Sequence, residues 1–337
     1  MKKVVSVFLA LLMVLSLAAC TGNEEEQTPA QKTAIRMATL KGPTGIGTAK
    51  LMADNDAGTA ANQYTVTLCT DPTEVVSGIV AGTYDVAACP LNMASVLYNK
   101  TNGNIQMLAI NTLGTMYLLS TQELTDISEL AGKTIISAGQ GATPEYVLNY
   151  LLEKNGLTDK VTVEYKSEHA EVATLAAAAT ADGDTFYLLP EPNVTSALLQ
   201  NSALKNVLDL SKAFETASGV SLAMGCIVAK KDFVQQNKAA IDAFLAEYQK
   251  SVEYTSTNLD DTATLCETYG IIPKAAVAKQ AIPRCSIAFV TGSEMKTVAT
   301  ENLNVLLAAS AQSVGCLLYP SPSPRDSTSA RSACCAL

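Results

Sequence analysis

An α/β protein built as two similar lobes around a cleft is what this sequence predicts, and three observations lead there. Strand-like apolar runs alternate with helix-like segments from Thr33 to Gly315, the order that gives parallel sheets covered by helices. The plan is stated twice: Gly42 to Asp71 is 29 residues and Gly139 to Ser167 is 28, while Asp71 to Pro90 is 19 and Ser167 to Pro190 is 23. Two further apolar runs, Thr112 to Ser120 outward and Leu222 to Ala229 back, are placed to carry the chain between the repeats. Two crossing strands make a hinge, and two lobes on a hinge make a clamshell.

The elements follow in order. Ala34 to Leu40 reads as a strand, and Lys41-Gly42-Pro43-Thr44-Gly45 as a tight loop feeding a helix from about Ile46. After a strand at Tyr64 to Cys69, Asp71-Pro72-Thr73-Glu74 supplies an N-cap, a proline at the first helical position and a glutamate at the third, and Gly82 ends that helix. Asp85 to Cys89 is the third strand, Pro90 opens a helix through about Asn99, and Ile105 to Ile110 is the fourth strand.

The repeat begins with strand Thr134 to Ser137, loop Gly139-Gln140-Gly141-Ala142-Thr143, and a helix with Pro144 at its start and Gly156 beyond its end. Val161 to Tyr165, a helix started by Ser167, and a strand from Thr185 to Leu189 ending at Pro190-Glu191-Pro192 come next. Past the return strand, Phe233, Ile241, Phe244, Leu245, Tyr248 and Val252 recur at helical spacing through one helix from about Asp232 to Tyr254, a packing stripe on the first lobe. Helical stretches near Ala263 to Tyr269, Pro273 to Ala281 and Glu294 to Ala309 complete that lobe. The expected domains are 34–116 with 224–315 as one lobe and 117–223 as the other.

Composition limits the function. The chain has 337 residues, 48% apolar and 16% charged, with a formal net charge of -9, enough apolar surface for buried cores. Setting aside Lys2, Lys3, Arg325, Asp326 and Arg331 in the two ends takes the folded part to near -12. Such an acidic body with scattered cations lacks the positive stripe that a phosphate backbone requires, which excludes nucleic acid.

The two ends read as segments outside the fold. Lys2 and Lys3 precede a 16-residue apolar or small run from Val4 to Ala19, short for a hydrocarbon core of roughly 30 Å, and it reads as a signal peptide. Its end, Leu17-Ala18-Ala19-Cys20, resembles the bacterial lipobox, which predicts Cys20 as a lipidated first mature residue; the alternative is an ordinary secretory signal with a chance cysteine. Residues 20–33 then form a Glu-rich tether. From Cys316 the composition changes to a Pro/Ser-rich run that resembles the translation of a sequencing-library adapter. Residues 316–337 are expected to be foreign to the fold or a disordered tail.

Metal and hydrolytic chemistry find little support. Cys69, Cys89, Cys226, Cys266 and Cys285 form no C-x-x-C pair, and the first three sit in strand-like runs as small core residues. The single histidine, His169, reads as part of an exposed first helical turn, and no G-x-S-x-G elbow is present. Gly42 and Gly47 have Walker spacing with Thr48 in place of the lysine, and Gly45-Ile46-Gly47 begins a dinucleotide fingerprint that Lys50 breaks. No cofactor and no metal are expected.

Ligands of open parallel sheets bind beyond the carboxyl ends of the strands. Lys41, Gly42, Pro43, Thr44 and Gly45 of one lobe should therefore face Gly139, Gln140, Gly141, Ala142 and Thr143 of the other, offering backbone N–H groups and helix dipoles to an anionic group. Pro90 and Asn92, at the third strand's end, join the candidates. Glu191, stiffened by two flanking prolines, either points its carboxylate into the interlobe space to accept a ligand N–H or is a solvated helix-start glutamate.

Taken together, Lys41-Gly42-Pro43-Thr44-Gly45, Gly82-Thr83-Tyr84-Asp85, Gly139 to Glu145, Pro190-Glu191-Pro192 and Met224-Gly225-Cys226 resemble the substrate-binding lipoproteins of ABC importers. The branch resembled is the one that binds nitrate, sulfonate, taurine or a thiamine precursor, over about Ala34 to Gly315. The resemblance implies a type II periplasmic-binding-protein-like clamshell and a non-enzymatic monomer on the extracytoplasmic face of the cell membrane. It also implies capture of a small organic anion or heterocycle and delivery to permease subunits. The alternatives are an extracytoplasmic sensor and an enzyme similar to the yeast-type pyrimidine synthases, whose histidine dependence fits poorly with one histidine outside the cleft loops.

Overall fold

The computed structural model describes residues 32–181 and 183–315; the segment read as a signal peptide, Cys20 and residues 316–337 lie outside them. Eleven strands are described: β1 Ala34–Leu40, β2 Gln63–Cys69, β3 Val86–Pro90, β4 Ile105–Leu113, β5 Met116–Ser120, β6 Thr134–Ala138, β7 Thr162–Lys166, β8 Thr185–Pro190, β9 Lys205–Asp209, β10 Ala223–Lys230 and β11 Ile287–Val290. They form two sheets, ordered β11-β4-β10-β3-β1-β2 and β9-β5-β8-β6-β7. In the first, β1 is parallel to β2 and β3, while β10 runs antiparallel to β3 and β4. In the second, β6 is parallel to β7 and β8, while β5 runs antiparallel to β8 and β9.

The two orders superimpose apart from the edge strand β11. In each sheet the antiparallel strand beside the parallel core, β10 or β5, is the one that has just crossed from the other sheet. The chain crosses first between Leu113 and Met116, and again between the helix Leu210–Ser218 and β10. The outgoing run Thr112–Ser120 is therefore two strands, broken at Gly114-Thr115.

Local sequence explains most of the punctuation. The Asp71 carboxylate accepts the Thr73 N–H at 2.7 Å and caps the helix Pro72–Val80. Gly82 follows that helix with φ 77°, the left-handed conformation that glycine adopts without a Cβ penalty.

Both faces of each sheet are covered, which is why the parallel strands read as nearly unbroken apolar runs. One face of the first sheet packs Val75, Ile79, Leu91 and Leu97 with Leu303 and Leu306 from the helix Gly292–Ala309. The other packs Ile35 and Met37 on Phe244 and Tyr248. Rings of Tyr64, Phe244, Tyr248 and Phe289 follow one another at 6.0, 5.8 and 6.2 Å, and Phe244 and Tyr248, with Ile241 and Val252 on the same face, belong to the stripe read from the sequence. In the second sheet Leu148, Leu151, Phe186 and Phe214 fill one face, and Val172, Ala176, Val194 and Ala197 the other.

Several expectations are corrected. The helix drawn from Asp232 to Tyr254 is two, Lys231–Gln236 and Lys238–Thr257, because Asn237 takes φ -127° and ψ 39° between them. Ser167 does not cap its helix; Glu168 holds the N-cap position and the helix runs His169–Ala177. β9, the helix Leu210–Ser218 and β11 had no expected counterpart. Lys205-Asn206-Val207-Leu208-Asp209 lacks strand alternation, and β11 has only four residues. All five cysteines of the body are buried free thiols.

Candidate functional site

The first-lobe loop at the cleft is shaped from beneath by side chains far along the chain. Asn111, on β4, donates its Nδ2 to the Thr44 carbonyl at 3.0 Å and to the Tyr248 hydroxyl at 3.0 Å. A Cβ on Gly45 would stand 2.2 Å from the Leu40 carbonyl oxygen, so only glycine permits this close approach of loop and strand.

The loop spends most of its own donors. The N–H groups of Lys41, Gly42 and Gly45 go to Cys69, Ile271 and Gly42 carbonyls at 3.1, 2.9 and 3.0 Å. Its helix, Pro43–Ile46, is a single turn, too short for an appreciable dipole. Here the expectation of several free N–H groups plus a macrodipole is corrected: Gly45 is engaged, and Thr44, in the first turn with no intrahelical acceptor, keeps its donor. Lys41 is exposed.

The second-lobe loop is occupied in a different way. Gly139 and Gly141 take φ 81° and 74° and lead into the helix Thr143–Lys154, with Ala142 at the N-cap. Gly141 donates its N–H to the Glu145 carboxylate at 2.5 Å. The positive end of this helix thus already holds an anion of the protein itself, which corrects the expectation of an open donor at Gly141. Gln140 is exposed, Ala142 and Thr143 are half-buried, and Thr143 retains its first-turn N–H. Tyr165, beside Glu145, has its phenol pushed up to about 12 by burial and by that carboxylate.

Asn92 and Glu191 are placed otherwise than expected. Asn92 is buried and donates its Nδ2 to the Ser313 carbonyl at 3.1 Å, tying the turn Ala311–Val314 to the helix Leu91–Lys100. Pro90 ends β3 opposite Gly225. Glu191 is fully buried and its carboxylate is satisfied within the protein. Arg284 donates Nε to Oε1 at 2.5 Å, while Thr195 donates its N–H and hydroxyl to Oε2 at 3.1 and 2.8 Å. Arg284 Nη2 donates to the Thr195 hydroxyl, closing a triangle. Glu191 is therefore neither the solvated glutamate nor the open acceptor that its sequence context suggested.

Arg284 belongs to the short turn Ile282–Arg284 before β11, so the pair joins the two halves of the fold. Tyr117, on β5, donates its hydroxyl to the Arg284 carbonyl at 3.0 Å; burial first, then the charges of Asp209 and Glu191, raise its pKa. The Glu191 N–H goes to the Thr115 carbonyl at 3.0 Å, inside the first crossing. Across the cleft from Gly42, the heavy atom nearest to its Cβ direction is Pro192 Cδ, at 3.9 Å. The structure thus brings together Gly42, the Pro190-Glu191-Pro192 turn and Arg284 beside the hinge.

Sequence reading missed Arg284 because no motif surrounds it. One signal was available: the body between the two ends contains only two arginines, Arg36 and Arg284, among many lysines. Both are committed to buried carboxylates, Asp85 and Glu191, the role for which a guanidinium fork suits better than an ammonium. His169 also differs from expectation: it is half-buried, its Nδ1 is enclosed without a protein partner, and burial lowers its pKa. Among the described residues no group of three or more His, Cys, Asp or Glu side chains could hold a metal ion.

The family model described as menaquinone biosynthesis matches residues 55–281, more than half of the chain. The chain belongs to this family. Solved structures share the fold of this family member. An ABC transporter protein from Parabacteroides distasonis is 22% identical with a TM-score of 0.70, covering 86% of this chain and 98% of that one. The periplasmic aliphatic sulphonate binding protein SsuA from Escherichia coli is 14% identical with a TM-score of 0.65, covering 86% and 94%. The periplasmic nitrate-binding protein NrtA from Synechocystis PCC 6803 is 12% identical with a TM-score of 0.59, covering 89% and 85%. No curated protein matches the sequence. At these identities the structures establish the periplasmic-binding-protein-like fold.

Proposed function

We propose that this chain is an extracytoplasmic solute-binding lipoprotein, anchored through Cys20. In this reading a lobe of residues 34–116 and 224–315 closes on one of residues 117–223 over a small organic anion or heterocycle, which an ABC permease then imports. The observation that carries the reading is the pair of matched sheets joined by two crossings, with strand ends meeting at Gly42, Pro192, Glu191 and Arg284. Binding energy in such a body shifts an open–closed equilibrium. The one fully buried carboxylate there, Glu191, has both oxygens engaged by Arg284 and Thr195.

The family description supports a second reading, an enzyme on the same scaffold. X-ray scattering with and without a pool of small sulfonates, carboxylates and aminopyrimidines, coupled to mass analysis of the recovered compounds, separates the two. Compaction with the compound returned unchanged fits solute capture, and product formation would replace it with the enzyme. For the anchor, labelling with a palmitate analogue in a bacterial host should tag the protein, and Cys20→Ala should release it to the soluble fraction; a variant that stays in the membrane would refute lipidation at Cys20.

A further inference from the structure

We propose that Arg284 is the residue that receives the oxyanion end of the ligand, and that the ligand carries a carboxylate or sulfonate there; this rests on the solute-binding reading. A guanidinium has two edges suited to paired hydrogen bonds. In Arg284 the side edge, Nε with one hydrogen of Nη2, is used inside the protein, by Glu191 Oε1 and the Thr195 hydroxyl. The end-on edge, Nη1 with the second hydrogen of Nη2, is the one that a carboxylate or sulfonate engages with two parallel bonds. The side chain is 34% exposed while its carboxylate partner is 0% exposed, so Glu191 is enclosed and part of Arg284 reaches solvent.

The position suits the role. Tyr117 fixes the Arg284 backbone. Glu191, which orients the fork, bonds to Thr115 in the first crossing and is followed by Pro192, which lies opposite Gly42. Arg284 is thus anchored to both lobes at the point where they meet. Glu191 offsets its charge, which sets how strongly an anion is held: a moderate grip allows release.

The test reads two partners with opposite signs. Calorimetry with 1-butanesulfonate, butanoate and the neutral butanamide is run on the wild-type protein, Arg284→Lys and Glu191→Gln. Arg284→Lys keeps the ion pair with Glu191 and removes the fork, so sulfonate and butanoate should bind at least tenfold more weakly with folding intact by thermal melt. Glu191→Gln keeps a carbonyl to orient Arg284 and removes the offsetting charge, so both anions should bind several-fold more tightly, with butanamide unchanged in either variant. A purely structural pair predicts that lysine rescues binding and that Glu191→Gln weakens it, and that result would overturn the proposal. If butanamide or an aminopyrimidine compacts the wild type and neither anion binds, the assignment of Arg284 falls while solute capture stands. If no probe of either class binds, both fall.

Discussion

Gly114 and Ser211 touch at the place where the chain passes between the lobes: a Cβ on Gly114 would stand 1.9 Å from Ser211 Oγ and 2.2 Å from Ser211 Cβ. The atoms in the way include a Cβ fixed to a helix, so the clash cannot be relieved by rotating a side chain. Gly114→Ala should destabilise the protein by roughly 1–3 kcal/mol, the usual cost of overpacking. Ser211→Gly in that background should recover part of the loss, because the nearest atom is then the Ser211 Cα, at 3.3 Å. Urea melts of the two variants measure this, and a Gly114→Ala protein as stable as wild type would show that the crossing repacks freely.

Asp85 carries the second prediction. Its carboxylate is buried and takes bonds from Arg36 Nε at 2.9 Å and Nη2 at 2.7 Å, with Lys230 Nζ at 3.5 Å. Burial alone would raise its pKa, but the Arg36 bonds and the charges of Arg36 and Lys230 outweigh that and hold it below the usual carboxylate range. A lowered folded-state pKa gives stability that is present above the unfolded value, about 3.9, and is lost as pH falls through the folded value. Asp85→Asn should cost roughly 1–3 kcal/mol at neutral pH, discounted because Arg36 is half-exposed. Its stability should also fall less than that of wild type below about pH 4; parallel acid melts of the two proteins would contradict this.

His169 governs a different pH window. As the only histidine, half-buried with its pKa lowered by burial, it favours the neutral ring in the folded state. The associated stability is present above the unfolded pKa of about 6.5 and is lost as pH falls through the lower folded value. Thermal melts between about pH 7 and pH 5 should show a decline in wild type that His169→Gln flattens. An equal decline in both proteins would place the titration elsewhere.

Asn92 separates structure from binding. Because its amide holds the Ser313 carbonyl, Asn92→Ala should cost about 1–3 kcal/mol through an unpaired buried acceptor. It should also speed amide exchange within residues 311–315 and leave the affinity for 1-butanesulfonate unchanged. A large loss of affinity with normal exchange would return Asn92 to the ligand.

The sequence by itself determined most of the elements and their order, though not β9, the helix Leu210–Ser218 or β11. Periodicity placed β1 at Ala34–Leu40, the Asp71 cap and Gly82 bounded one helix, and the doubled spacing announced two similar sheets. Such signals are local, because propensity, capping and turn chemistry act over a few residues. The tertiary structure alone decided which groups meet: Glu191 with the Arg284 side chain across 93 residues, and the Asn92 amide with the Ser313 carbonyl across 221. A carboxylate between two prolines looks the same in sequence whether it awaits a ligand or an arginine. Its partner is set by how the strands cross and the helices pack, and by the cost of leaving a buried charge unpaired, and no stretch of neighbouring residues encodes that choice.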